Sequence, residues 1–127
     1  MSANAAAASK HVHHEAFLAG QNPSIQYAGS AQFPANLFCT WTTKNGQAST
    51  LTINNPGANT LTVLISGAPA SIVGFPGGGP LNGKWTISPN QPTATITAAG
   101  DFLGQVVTIF NVSNPSTTCA VNAVVAS

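Results

Sequence analysis

The sequence predicts a mainly β protein: an antiparallel β-sandwich, Ig-like or jelly-roll-like, of seven or eight strands, with an N-terminal arm that is helical or extended. Three observations carry this expectation. From Asn36 onward, short runs rich in Thr and β-branched residues alternate apolar and polar with period two. Clusters of Gly, Pro and Asn separate those runs at roughly ten-residue intervals, the spacing of an all-β domain. Charge is almost absent: 4% of the 127 residues are Asp, Glu, Lys or Arg, against about a quarter in an ordinary soluble domain. The solvent-facing positions must then be filled by neutral groups, and 14 Thr, 11 Ser, 12 Asn and 6 Gln supply them.

The elements follow in chain order. Residues 1–34 read as the arm and 35–127 as the sandwich domain. Alanine, the best helix former, fills Ala5 to Ala8. Asn4 suits a cap and Gly20 a C-terminal stop. On such a helix Ala7, His11, His14 and Leu18 share one face, but a helix this short is marginal in water unless it docks on something. The first strand is expected around Phe38-Cys39-Thr40-Trp41-Thr42, followed by Asn45-Gly46, a hairpin signal. Ser49-Thr50-Leu51-Thr52-Ile53 and Thr60-Leu61-Thr62-Val63-Leu64-Ile65 alternate strictly, with Asn54-Asn55-Pro56-Gly57 between them. Residues 66–84 read as a long surface loop around a short strand at 71–75. Residues 84–88, 93–98, 105–112 and 118–126 complete the set. The inward positions Leu51, Ile53, Leu61, Val63, Ile65, Trp85, Ile87, Ile96, Val107, Ile109 and Val121 form the expected core. The stretch from Leu51 to Val63 resembles strand–turn–strand passages of bacterial immunoglobulin-like domains; this likeness is short and carries no functional residue.

The composition excludes several functions. Three scattered lysines do not make the basic patch that nucleic-acid binding requires. One Glu and one Asp leave little room for paired-carboxylate catalysis. No apolar run approaches the 18 residues of a membrane span, and residues 1–20 lack the charged start and apolar stretch of a signal peptide. A net charge of +1 removes the repulsion that keeps proteins apart and favours association.

The candidate chemistry is sparse. Cys39 and Cys119 are expected to form a disulfide closing a loop of about 80 residues, worth about 4–5 kcal/mol on chain-entropy grounds; the alternative is two buried thiols acting as small hydrophobes. His11, His13, His14 and Glu15 gather all three histidines and the only glutamate. His11, His14 and Glu15 are candidate metal ligands, although structural and catalytic zinc sites need three or four fixed ligands. A Ser-His-Asp or Cys-His arrangement would require the arm to fold over the sandwich, so the chain reads as a non-enzyme without cofactor.

The Thr-x-Thr pairs (Thr40/Thr42, Thr50/Thr52, Thr60/Thr62, Thr93/Thr95/Thr97) place hydroxyls on one strand face. They would suit ordered water or polysaccharide, but the ordinary outer face of a half-buried strand accounts for them better. Gly74-Phe75-Pro76-Gly77-Gly78-Gly79-Pro80 lacks the Gly-Lys-Ser/Thr ending of a phosphate loop. Trp41 and Trp85 fall on inward positions, so they read as core and not as a sugar platform. Asn111-Val112-Ser113 is an N-glycosylation sequon, of use only on a glycosylating export route. The expected function is structural: a self-assembling subunit of an extracellular fibre, pilus-like filament or virion surface. Its partners would be copies of itself, joined through neutral Thr/Asn-rich and apolar contacts and the arm. The alternative is a glycan-binding module or adhesin using loop 66–84 and exposed aromatics. The location would be extracellular, cell surface or virion.

Overall fold

The structure is a computed structural model, described here for residues 21–67, 72–75, 82–98 and 104–126; the side chains of 72–75 are excepted. It contains ten strands: β1 (Ser24–Gln26), β2 (Gly29–Phe33), β3 (Phe38–Thr42), β4 (Ser49–Asn54), β5 (Leu61–Ser66), β6 (Ile72–Phe75), β7 (Lys84–Ile87), β8 (Thr93–Ala98), β9 (Val106–Asn111) and β10 (Cys119–Val125). Among the described residues there is no helix; the helical reading of the arm falls on residues 1–20, outside the described residues. The β3–β10 series matches the eight expected strands. β1 and β2 are additional, and lie where the sequence reading placed the arm.

The strands form two five-stranded sheets. One runs β2-β10-β4-β8-β6 and the other β1-β3-β9-β5-β7. Every pairing is antiparallel except that of β1 with β3, which is parallel. Alternation explains the strands: in β4, Leu51 and Ile53 are buried while Thr50, Thr52 and Asn54 face out. The same parity holds in β5, β7, β8, β9 and β10, as period-two side-chain placement requires. All eleven expected core residues are buried, and they belong to one cluster that draws on both sheets. Cys39, Trp41, Phe33, Ala94, Ala98 and Ala123 extend it.

Each strand after the first belongs to the other sheet from the strand before it. Leaving out the edge strands β1 and β6, the remaining eight, renumbered in chain order, run 1-8-3-6 in one sheet and 2-7-4-5 in the other. This overturns the hairpin expected at Asn45-Gly46. The turn is present, with Gly46 at φ 79° and Gln47 N–H donating to the Lys44 carbonyl at 3.3 Å, but it carries the chain from β3 in one sheet to β4 in the other. Turn chemistry is local, whereas the choice of partner strand is made by which face each strand can bury.

Three buried or half-buried polar devices lock the loops. Asn55 Nδ2 donates to the carbonyls of Asn59 and Ile87, both at 2.8 Å, and its Oδ1 accepts Gly57 N–H. Asn111 Nδ2 donates to the carbonyls of Phe33 (3.2 Å) and Thr117 (2.7 Å), and its Oδ1 accepts Ser113 N–H at 3.1 Å. Trp41 Nε1 donates to the Tyr27 carbonyl at 3.1 Å. Tyr27 holds φ 71° at the bend between β1 and β2, a conformation costly for a bulky side chain. Its N–H is tied to the Thr42 carbonyl at 2.9 Å, and Lys44 Nζ lies 4.6 Å from its ring centre.

Candidate assembly surfaces

The outer faces of the two sheets carry most of the described surface chemistry. On the β2-β10-β4-β8 face the register aligns Thr50 with Thr97, Thr52 with Thr95 and Asn54 with Thr93, and on the other side Thr52 with Asn122 and Asn122 with Ser30. Thr93 Oγ1 donates to Asn54 Oδ1 at 2.9 Å. The Thr-x-Thr pairs of β4 and β8 are thus neighbours in one hydroxyl and amide array, with the 41% exposed Val124 beside it. Among the described residues no charged side chain belongs to this face.

The β1-β3-β9-β5-β7 face is built in rows across the strands. One row aligns Phe38, Phe110, Leu64 and Lys84; the next aligns Ser24, Thr40, Thr108 and Ser66; a third aligns Gln26, Thr42 and Val106. Phe38 and Phe110 are half-buried, with ring centres 6.4 Å apart and planes at 90°. Leu64 is 38% exposed and Val106 51%. This apolar stripe escaped the sequence reading, although parity contains it. Val107 and Ile109 point inward, so Val106, Thr108 and Phe110 must point out.

Among the described residues the charged side chains are Lys44 and Lys84. The other three charges, Lys10, Glu15 and Asp101, lie outside the described residues, as do the candidate metal ligands His11, His14 and Glu15. The described residues contain no group of three or more His, Cys, Asp or Glu able to hold a metal ion. Most of loop 66–84, at 68–71 and 76–81, is likewise undescribed. Trp41 and Trp85 are fully buried. No described helix is long and apolar enough to cross a membrane.

The cysteines require a correction. Cys39 on β3 and Cys119 on β10 are two separate thiols, both fully buried, and are not joined in the expected disulfide. Each occupies an inward position of its strand and packs as a small hydrophobe in the shared core. Burial pushes the Cys119 thiol far above its ordinary value, and negative charge on Cys39 would push it further. Such a thiol is a poor nucleophile. The sequon is also closed: Asn111 is fully buried with both amide ends engaged, so the folded chain offers no glycosylation acceptor there.

No protein-family model, curated protein or solved structure matches this chain.

Proposed function

We propose that this chain is a non-enzymatic structural protein, a self-assembling subunit of an extracellular fibre, pilus-like filament or virion surface, built on a jelly-roll β-sandwich. The strand orders 1-8-3-6 and 2-7-4-5, with first and last strands adjacent, support a double Greek key over an Ig-like arrangement. Jelly rolls serve viral capsids and lectins alike, so topology does not choose between functions. One observation carries the assembly reading: the outward sheet positions present hydroxyls, amides and an apolar stripe, with Lys84 their one charge. Burying such faces against a copy of the same chain exacts little desolvation of charge and removes apolar area from water. Residues 1–20 add a segment able to reach a neighbour.

The second reading, a carbohydrate-binding module or adhesin, draws on the hydroxyl and amide array of the β2-β10-β4-β8 face. The described aromatics weaken it. Both Trp side chains are interior, Tyr27 is occupied by Lys44, and Phe38 and Phe110 stand perpendicular instead of forming a flat stacking platform. Electron microscopy of the purified protein at rising concentration is the test. Ordered filaments or shells are expected; a monomer at every concentration that binds insoluble polysaccharide would replace the assembly reading with the second one.

A further inference from the structure

Asparagine supplies 12 of the neutral polar groups, and its carboxamide is not inert. The backbone nitrogen of the following residue can attack Cγ, close a five-membered succinimide and expel ammonia. The attack needs an N–H on that residue, no Cβ there to block the approach, and a peptide free to rotate. Asn22, Asn55 and Asn114 precede prolines, which have no N–H. Asn111 is fully buried with its amide engaged. Two asparagines precede glycine, Asn45 and Asn82.

The structure separates these two. Asn45 and Gly46 are both exposed in the turn that leads from β3 to β4. Gly46 holds φ 79°, a left-handed value that glycine takes without strain. Apart from its chain neighbours, no heavy atom lies within 4 Å of where a Cβ on Gly46 would stand. The hydrogen bond closing the turn, from Gln47 N–H to the Lys44 carbonyl, is long at 3.3 Å. The Asn45–Gly46 peptide therefore turns through open solvent. Asn82 is exposed too, but its backbone sits at φ 57° and a further interaction holds it. The Gly83 carbonyl accepts the Ile65 N–H at 2.8 Å, so rotating the Asn82–Gly83 peptide disturbs the start of the β5–β7 ladder.

We propose that Asn45–Gly46 is a site of spontaneous, water-driven modification. Solvent base takes the Gly46 amide proton, the nitrogen bonds to Asn45 Cγ, and Nδ2 leaves as ammonia. Water then opens the imide. Attack at Cγ gives aspartate, and attack at the backbone carbonyl gives isoaspartate, with one more carbon in the main chain of the exposed turn. The net change is one amide for one carboxylate, with water consumed and ammonia released. Three lysines stand against two acidic residues, so a single conversion takes the formal net charge from +1 to 0. It also sets a carboxylate beside Lys44, one of the two charged side chains among the described residues. The chemistry runs in the monomer and does not depend on assembly.

The test incubates folded full-length protein at neutral and at mildly alkaline pH in heavy-oxygen water, followed by isoelectric focusing and peptide mass mapping. A new acidic band is expected, with one heavy oxygen in the carboxylate at position 45 and isoaspartate as the major product. Its rate should rise with pH and lie within a few-fold of the rate in the urea-unfolded chain. Asn82 should convert at least severalfold more slowly than Asn45 in the folded protein, and the two rates should converge in urea. Asn45→Gln should remove the first acidic band with the circular-dichroism spectrum unchanged. An intact Asn45 in folded protein, over a time in which the unfolded chain converts, would overturn the proposal. So would faster conversion of Asn82 than of Asn45 in the folded protein, or persistence of the band in Asn45→Gln.

Discussion

Asn111 shows how a single polar side chain fixes the end of this fold. Its amide holds the last residue of β2, the turn at Ser113 and the Thr117 carbonyl from a fully buried position. Asn111→Ala leaves two carbonyls and one N–H without their partner, and urea unfolding should show a loss of about 2–4 kcal/mol. Ser49 is the converse case. Its hydroxyl is buried without a hydrogen-bond partner, so Ser49→Ala should be neutral or should stabilise by up to about 1 kcal/mol. Gly67 sits at φ 81°, and a Cβ there would stand 2.6 Å from the Val106 carbonyl oxygen. Gly67→Ala should therefore destabilise by about 1–3 kcal/mol on the same measurement. Cys119 gives a pH dependence. Its folded-state pKa is raised above the ordinary 9.0, so the unfolded chain loses its proton first. Stability from this group is present below about pH 9 and falls as pH climbs beyond it. In the native protein below that pH, a thiol reagent should label Cys119 only at the rate of unfolding; fast stoichiometric labelling would contradict the buried placement.

At the scale of the element, parity sorts each strand into an inner and an outer surface with separate duties. Trp41, Val107, Ile109, Val63 and Trp85 make the inner surface of one sheet, and truncating any of them opens a cavity. On the outer surface of the same strands, the 38% exposed Leu64 gives up less packing when replaced than those interior residues do. Leu64→Asp should lower the unfolding free energy by about 1–2 kcal/mol, leaving a folded protein, while abolishing ordered assembly under the electron microscope. Normal assembly by a folded Leu64→Asp protein would remove the stripe from the contact. The edge strand β1 was hidden because Ser24-Ile25-Gln26 is too short for its alternation to register, and its parallel pairing with β3 depends on Ile25 reaching the common core. β2, rich in small residues, lacks the β-branched signature of a strand; pairing with β10 on one side places Ala31 and Phe33 inward.

For the whole molecule, shortage of charge and arrangement of strands combine. With two lysines as the described charges, neither sheet face is protected by repulsion, and the surface remains compatible with self-contact over wide areas. Removing residues 1–20 should leave a folded β protein, with an unchanged circular-dichroism spectrum, that no longer assembles; undiminished assembly would take that segment out of the mechanism. The sequence by itself determined a mainly β chain, the positions of the strands from β3 to β10 and the eleven named core residues, because a period-two pattern is a local record of which face meets water. It also determined that the surface would be neutral. Tertiary structure alone decided which strands pair, since burial of a strand's apolar face is satisfied by any partner of the right parity and the choice is settled by the whole core. That choice turned Asn45-Gly46 from a hairpin into a crossing between sheets and left Cys39 and Cys119 as separate interior thiols. It closed the sequon at Asn111, and it aligned Phe38, Phe110 and Leu64, distant in the chain, into one exposed row.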